Sequence, residues 1–232
     1  MVSKSHQRII RERIAVEPSD DLFSMPAPSN LRESQVKPIS YDTAKTIILK
    51  YEWLGTMPPC VLKCFGIYFD GICGGAIVLS EPTHKNVVKA KTIPRDALYL
   101  SRGACAYWTP KNSASHLIST ALKTLGDVIV FAYNDPRAGE IGQIYQALNW
   151  DYLGPSSGGT HAFTVGGKEI STRWLRRKYG TCAREFVESL YPDAAVVPSP
   201  RKGRYVGVYG NARYRKYWAR RFKEFSKPYP KR

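Results

Sequence analysis

The sequence lacks any apolar stretch long enough to cross a bilayer: no window approaches the ~18 uninterrupted apolar residues that a spanning helix needs. Its opening residues, MVSKSHQRIIRERIAVEPSDD, scatter charges throughout and hold no apolar signal core. The expectation is a protein that is not secreted and works in the cytoplasm. No internal repeat is present. Histidine is scarce, and His84, His116 and His161 are too scattered to predict a metal site, although a metal ion stays open as a cofactor. The five cysteines (Cys60, Cys64, Cys73, Cys105 and Cys182) are odd in number, which argues for free thiols. The Cys60-x3-Cys64 spacing is not that of a zinc finger, and no paired histidines follow it.

What is abundant is positive charge, and it is unevenly placed. The formal net charge is +16. Residues 173–232 hold 17 Lys+Arg and 4 Asp+Glu, against 18 and 15 in the first 172 residues. A concentrated basic region attracts polyanions and speeds encounter with them. Within it, Arg213, Arg215, Lys216 and Arg220 are interleaved with Tyr214, Tyr217, Trp218 and Phe222. Cations that hold phosphates, beside rings that stack on bases, suit nucleic acid. The same rings would also suit the packing of a small C-terminal subdomain.

Periodicity gives the order of elements. Ser40 precedes a helical pattern in which Ala44, Ile47, Ile48 and Tyr51 share one face. Residues 62–69 and 73–79 read as strands joined by Asp70-Gly71, a strong hairpin signal. Residues 97–105 read as a strand interrupted by Ser101-Arg102, and 113–125 as a helix. The run 127–133 is almost wholly apolar, as a strand buried on both faces should be. A helix is expected over 138–148, strands over 150–153 and 160–165, and a basic helix over 173–191 broken near Gly180. Strand–helix–strand units imply parallel pairing with right-handed crossovers. The expected class is α/β: a mixed central sheet flanked by helices over 38–172, after an N-terminal extension (1–37). A basic, aromatic-rich C-terminal helical extension (173–232) follows.

Two residues draw attention as chemistry. Asp135 ends the buried strand, where ligands of open α/β sheets collect, and a carboxylate there could orient or deprotonate a nucleophile. It is equally a good N-cap before Pro136. Arg102 breaks an apolar strand, and a charge in that setting needs a partner. Asp135 on the neighbouring strand is the expected one; the alternative is a bulge that leaves the guanidinium in water.

The stretch 131–153, FAYNDPRAGEIGQIYQALNWDYL, resembles the closing strand–helix–strand of the GNAT acyltransferase fold. In that resemblance Tyr145 is the tyrosine that protonates a departing thiolate. A phenol of pKa ~10 gives its proton only to so strong a base. The glycine-rich phosphate loop of those enzymes has no counterpart, since the corresponding place reads Thr109-Pro110-Lys111-Asn112-Ser113-Ala114-Ser115. Lys111, Asn112, Ser113 and Ser115 are the candidate contacts for a donor such as acetyl-CoA or another acyl donor.

A more specific set is Glu52-Trp53-Leu54-Gly55, Phe69-Asp70-Gly71 with Gly74-Gly75, Leu100-Ser101-Arg102, Asn112-x-x-Ser115, and a longer block. That block is Tyr133-x-Asp135-Pro136-x-x-Gly139-x-x-Gly142-x-x-Tyr145-x-x-x-Asn149-Trp150-x-Tyr152-x-Gly154. Together these resemble the phage Mom DNA-modification proteins, a GNAT-like group, over about residues 40–165. The resemblance implies modification of adenine in double-stranded DNA to N6-carbamoylmethyladenine, which hides the DNA from restriction enzymes. Arg102, Asp135 and Tyr145 are then the active-site set. Glu52, Trp53 and Tyr133 are contacts to the substrate, with Trp53 a candidate for stacking on an extruded base. The residues leave two other readings open: a GNAT acyltransferase acting on RNA or a protein amine, and a non-catalytic DNA-binding module on this fold.

Overall fold

The computed structural model describes residues 6–16, 30–82, 97–156 and 160–231. A first helix, α1 (His6–Val16), precedes the edge strand β1 (Gln35–Pro38) and α2 (Tyr41–Tyr51). Then follow β2 (Val61–Phe69), β3 (Ile72–Ser80), β4 (Leu98–Cys105), α3 (Ser113–Lys123) and β5 (Val128–Asn134). A 3-10 turn (Pro136–Ala138) leads to a short α4 (Gln143–Ala147) and β6 (Asp151–Pro155). The chain continues as β7 (Thr160–Val165), β8 (Lys168–Ser171), α5 (Thr172–Tyr179), α6 (Arg184–Leu190) and β9 (Ala195–Ser199). It closes with β10 (Gly203–Tyr209) and α7 (Ala212–Lys223).

Local chemistry explains the framework. Ser40 caps α2, its side chain accepting from the Thr43 amide. Asp70 and Gly71 both take positive φ (49° and 82°), as a two-residue hairpin turn requires, so β2 and β3 pair antiparallel. Alternate residues of β5 serve opposite faces. Val128, Val130 and Ala132 meet Leu117, Ile118 and Leu122 of α3. Ile129 and Phe131 meet Phe222 of α7. On that second face Ala44, Ile47 and Ile48 of α2 cover Ala76, Val78 and Ala104. One face of the sheet is thus closed by α3, the other by α2 and α7 side by side.

Strand order in the main sheet is β1-β2-β3-β4-β5-β10-β6, and β8-β7-β9 form a second, three-stranded sheet. The fold is the mixed α/β sheet flanked by helices that the sequence predicts, with four differences of detail. First, β1 already belongs to the sheet before residue 38, because Val36 packs onto the core. Second, β5 and β6 are not adjacent: β10 lies between them, antiparallel to both. Third, the expected division at 172 falls at the start of α5, inside the unit built on the second sheet, and the chain beyond it supplies a strand to each sheet. Within the basic C-terminal region α5, α6 and α7 are helical, as expected, whereas β9 and β10 are strands and β10 is core. Gly207 of β10 is a close approach, since a Cβ there would lie 2.4 Å from the Trp150 ring. Fourth, the helix expected over 138–148 is broken, because Gly139 and Gly142 both take left-handed φ (69° and 73°). His84 lies outside the described residues.

A chain ending at residue 200 removes the partner of both β5 and β6. Such a truncation is expected to lose the cooperative urea transition seen by circular dichroism for the whole chain. Retention of a sharp transition would mean that β10 is dispensable.

Candidate active site

The two central strands part company. β4 and β5 are the parallel pair of the main sheet, and their pairing is confined to Leu98 opposite Val130 and Tyr99 opposite Phe131. Beyond those positions β4 runs on to Cys105 and β5 to Asn134. The parting coincides with a bulge on β4, where Leu79 faces Leu100 but the next residue, Val78, faces Arg102. The surplus residue, Ser101, bonds its hydroxyl to that of Ser80. A cleft of about 2010 Å³ fills the gap, lined from both faces of the sheet.

Its centre is polar and aromatic. Glu52 ends α2 and is 9% exposed. Its carboxylate accepts from the Leu54 amide (3.2 Å) and lies 3.9 Å from Arg102 Nε. Burial pushes its pKa up to about 7; the Arg102 charge works against that rise and Glu140 adds to it. Arg102 donates further to the carbonyls of Thr56 (2.7 Å) and Ser101 (2.6 Å). The bulge reading of Ser101-Arg102 therefore holds for the backbone, but the guanidinium is only 15% exposed and paired.

Glu140, which the sequence reading did not single out, joins the other parts. One oxygen accepts from the Trp53 indole N–H (3.0 Å) and the other from the Asp135 amide (3.0 Å). Burial raises its pKa too. Its one sequence signal is an acid set between two glycines, Gly139 and Gly142, in an otherwise uncharged segment. Tyr145 stacks on Trp150 (5.3 Å) and tilts against Tyr205 (5.1 Å). Part of its ring stays accessible, but the phenol lies deep among protein atoms. Burial raises its pKa, and the charges of Glu140 and Glu52 add to the effect, so it keeps its proton through the neutral range. Tyr133 lines the cleft, its ring stacked on Tyr99 at 5.3 Å and its hydroxyl accepting from the Tyr99 hydroxyl at 2.6 Å.

The expected partnership of Arg102 with Asp135 is replaced. Among the described residues Arg102 pairs with Glu52, while Asp135 lies 3.3 Å from Lys202 Nζ. The strands that carry them have already diverged, so the two side chains face different neighbours. Asp135 also caps the 3-10 turn, accepting from the Arg137 amide. Arg102, Asp135 and Tyr145 do share the cleft, with Glu52, Trp53 and Tyr133. The candidate donor contacts do not. Lys111, Asn112, Ser113 and Ser115 are absent from its lining. The hydroxyls of Ser113 and Ser115 already donate to the carbonyls of Pro110 and Asn112. Arg213, Arg215, Lys216 and Arg220 are exposed on α7, whose inner face carries Tyr214, Trp218 and Phe222. Arg221, Phe222 and Phe225 carry that helix to the rim of the cleft. No group of three or more His, Cys, Asp and Glu converges as a metal site among the described residues.

The chain is an α/β protein whose mixed sheet splays open on a polar cleft. The sequence matches the Mom protein family over residues 33–231, and the chain belongs to that family. No curated protein matches it closely. Among solved structures it is remotely similar to the IAA acetyltransferase from Bacillus cereus ATCC 14579, at 12% identity and TM-score 0.40 over 75% of this chain and 99% of that one. Similarity to the ribosomal-protein-S18-alanine N-acetyltransferase from Escherichia coli is 6% identity and TM-score 0.40, over 77% and 96%. An acetyltransferase from Bacillus subtilis in complex with CoA shows 10% identity and TM-score 0.38, over 75% and 96%.

Glu52 makes a pH-dependent contribution whose sign is fixed. Its folded pKa of about 7 exceeds the ordinary 4.5. Between those values the folded protein therefore holds a proton that the unfolded chain has released, and stability falls as pH rises. Glu52→Gln removes that dependence. Its melting temperature relative to wild type should rise by ~2–6 °C between pH 4.5 and pH 8. A difference that does not change with pH would contradict the burial assigned to Glu52.

Proposed function

We propose that this chain is a DNA-modifying transferase that acts on the N6 amino group of adenine and produces N6-carbamoylmethyladenine, a mark that shields DNA from restriction enzymes. The observation that carries this reading is a cleft in which an indole, a phenol, the buried Glu52 carboxylate and the half-buried Glu140 carboxylate meet at the parting of two strands. A helix with an exposed cationic face reaches its rim. Membership of the Mom family supports it.

The adenine N6 lone pair is delocalised into the ring, so the amine is a weak nucleophile. Bond formation at N6 releases a proton, and a carboxylate must accept it. Asp135, at the end of β5, is the base expected from the resemblance; Glu140, bonded to its amide, holds it in place. Arg102 offsets the charge of Glu52. Tyr145 is protonated and able to donate to a leaving group. Trp53, fixed through its N–H to Glu140, offers a face for stacking on an extruded base.

An acyl donor such as acetyl-CoA suits the parting of β4 and β5, because the β4 edge beyond Tyr99 has no strand partner on the β5 side. A donor of the form X–CH2–CONH2 would balance the step: N6 would form the N–CH2 bond as the C–X bond breaks, Asp135 would take the N6 proton, and X would leave with a proton from Tyr145. The proposed product carries an N–CH2 bond and a terminal amide, so transfer of an intact acetyl group would give a different nucleoside. Duplex phosphates fall to Arg213, Arg215, Lys216 and Arg220.

Mass spectrometry of nucleosides from cells that express the protein tests the reading. Deoxyadenosine should gain a carbamoylmethyl group; unmodified deoxyadenosine, or an added mass on RNA or protein alone, would overturn it. Tyr145→Phe and Asp135→Asn should each lower modification by ~10²–10⁴ while DNA affinity stays within about twofold. Replacing Arg213, Arg215, Lys216 and Arg220 together by alanine should flatten the salt dependence of DNA binding by about 3 to 4 in log–log slope. An unchanged slope would remove α7 from the interface.

A further inference from the structure

Helix α1 lies outside the residues that match the family, yet it forms part of the cleft through Gln7, Arg8, Arg11 and Glu12. It is tied at both ends of the opening. Gln7 accepts from the Trp53 amide (3.2 Å) and donates to the Tyr51 carbonyl. Arg11 donates through Nη2 to the carbonyls of Ala106 (3.1 Å) and Tyr107 (3.3 Å), immediately after β4. Its charge also reaches the buried thiol of Cys105, the last residue of β4. One guanidinium is thus fixed on the β4 bank of the cleft. Arg8, three residues earlier and on the same face of α1, is exposed beside it.

We propose that Arg8 and Arg11 form a phosphate-binding subsite for the donor, a small molecule carrying a phosphate or diphosphate. This subsite stands in for the glycine-rich loop that the sequence lacks. The inference rests on the donor reading above. Three observations converge on it. The hydroxyls of Ser113 and Ser115, in the first turn of α3, are spent on backbone carbonyls, and none of the expected donor contacts lines the cleft. The start of α3 nonetheless faces this bank through Ala114, and the Asn112 side chain does not cap it, which leaves the helix N-terminus positive. The ion pair that occupies Arg8, with Glu12 at 2.8 Å, is an exposed i,i+4 pair of the weak kind, whereas guanidinium binds phosphate through paired, charge-assisted hydrogen bonds. Glu12 can therefore give way to a ligand. Nucleic acid is the poorer occupant, because the exposed cations of α7 stand on the other bank, anchored by Phe222 against Phe131 and Val206 of β5 and β10.

Calorimetric titration of the full chain with CoA, dephospho-CoA, pantetheine and inorganic pyrophosphate tests the subsite. Wild type should bind CoA at least tenfold more tightly than pantetheine and should bind pyrophosphate measurably. Arg8→Ala with Arg11→Ala should weaken CoA at least tenfold, leave pantetheine unchanged, and alter affinity for a short DNA duplex less than twofold. Arg11 also holds the chain at 106–107, so Arg8→Ala alone, at an exposed position, is the second variant and should weaken CoA about threefold. Equal CoA affinity in wild type and both variants, or no preference for CoA over pantetheine, would overturn the proposal. So would loss of DNA affinity in place of CoA affinity, which would assign the cations to the duplex. If deoxyadenosine is modified in cells while CoA binding ignores these arginines, the subsite fails and the proposed function stands.

Discussion

Everything at the site depends on one break in hydrogen bonding. A parallel pair that stayed zipped from Leu98 to Cys105 would leave no cleft; here the pairing ends after Tyr99 and Phe131. An unpaired strand edge inside a fold is costly unless its polar groups find other partners. The structure directs them to side chains and loops. The bulge at Ser101 turns β4 away and lets the Arg102 guanidinium reach the Thr56 and Ser101 carbonyls. On the β5 side, Glu140 takes the Asp135 amide and its own carbonyl accepts from Asn134 Nδ2. The cleft is therefore a consequence of how the sheet resolves its own backbone, and the chemical groups are those that resolve it.

That arrangement places two carboxylates, Glu52 and Glu140, where burial raises the pKa of both. Arg102 counters one of them and the Trp53 indole N–H the other. Each carboxylate is thus matched by a cation or an N–H donor, which limits the negative potential at the mouth of the cleft. The cations of the proposed duplex contact stand outside, on α7, where water screens them and where they cost the core nothing. The division between a charge-matched interior and a positive rim is what the uneven charge of the sequence becomes in three dimensions.

Much of this was legible in the chain. The Asp70-Gly71 hairpin, the doubly buried strand over 128–134 and the helix capped by Ser40 follow from local signals that tertiary contacts did not override. Arg102 betrayed itself as a charge in an apolar strand, but its partner did not: neighbouring strands suggested Asp135, and only the splay, a property of the assembled sheet, hands it to Glu52. β10 escaped notice because Gly203, Arg204 and Gly207 dilute its alternation and because it sits in a basic segment that reads as a tail. Its glycines are there for packing, since Trp150 occupies the space a side chain at 207 would need. Glu140 was hidden for the opposite reason, looking like an ordinary polar residue of a glycine-bounded turn until the turn folded it against Trp53.

The central claim is that an adenine amino group enters the gap between β4 and β5. Photocrosslinking from a duplex that carries a diazirine on one adenine N6, followed by mass mapping of the attached peptides, tests it most directly. The account predicts attachment within 52–56, 99–102 and 133–145. Attachment confined to the second sheet and its helices, over 160–199, with none in those segments, would contradict it.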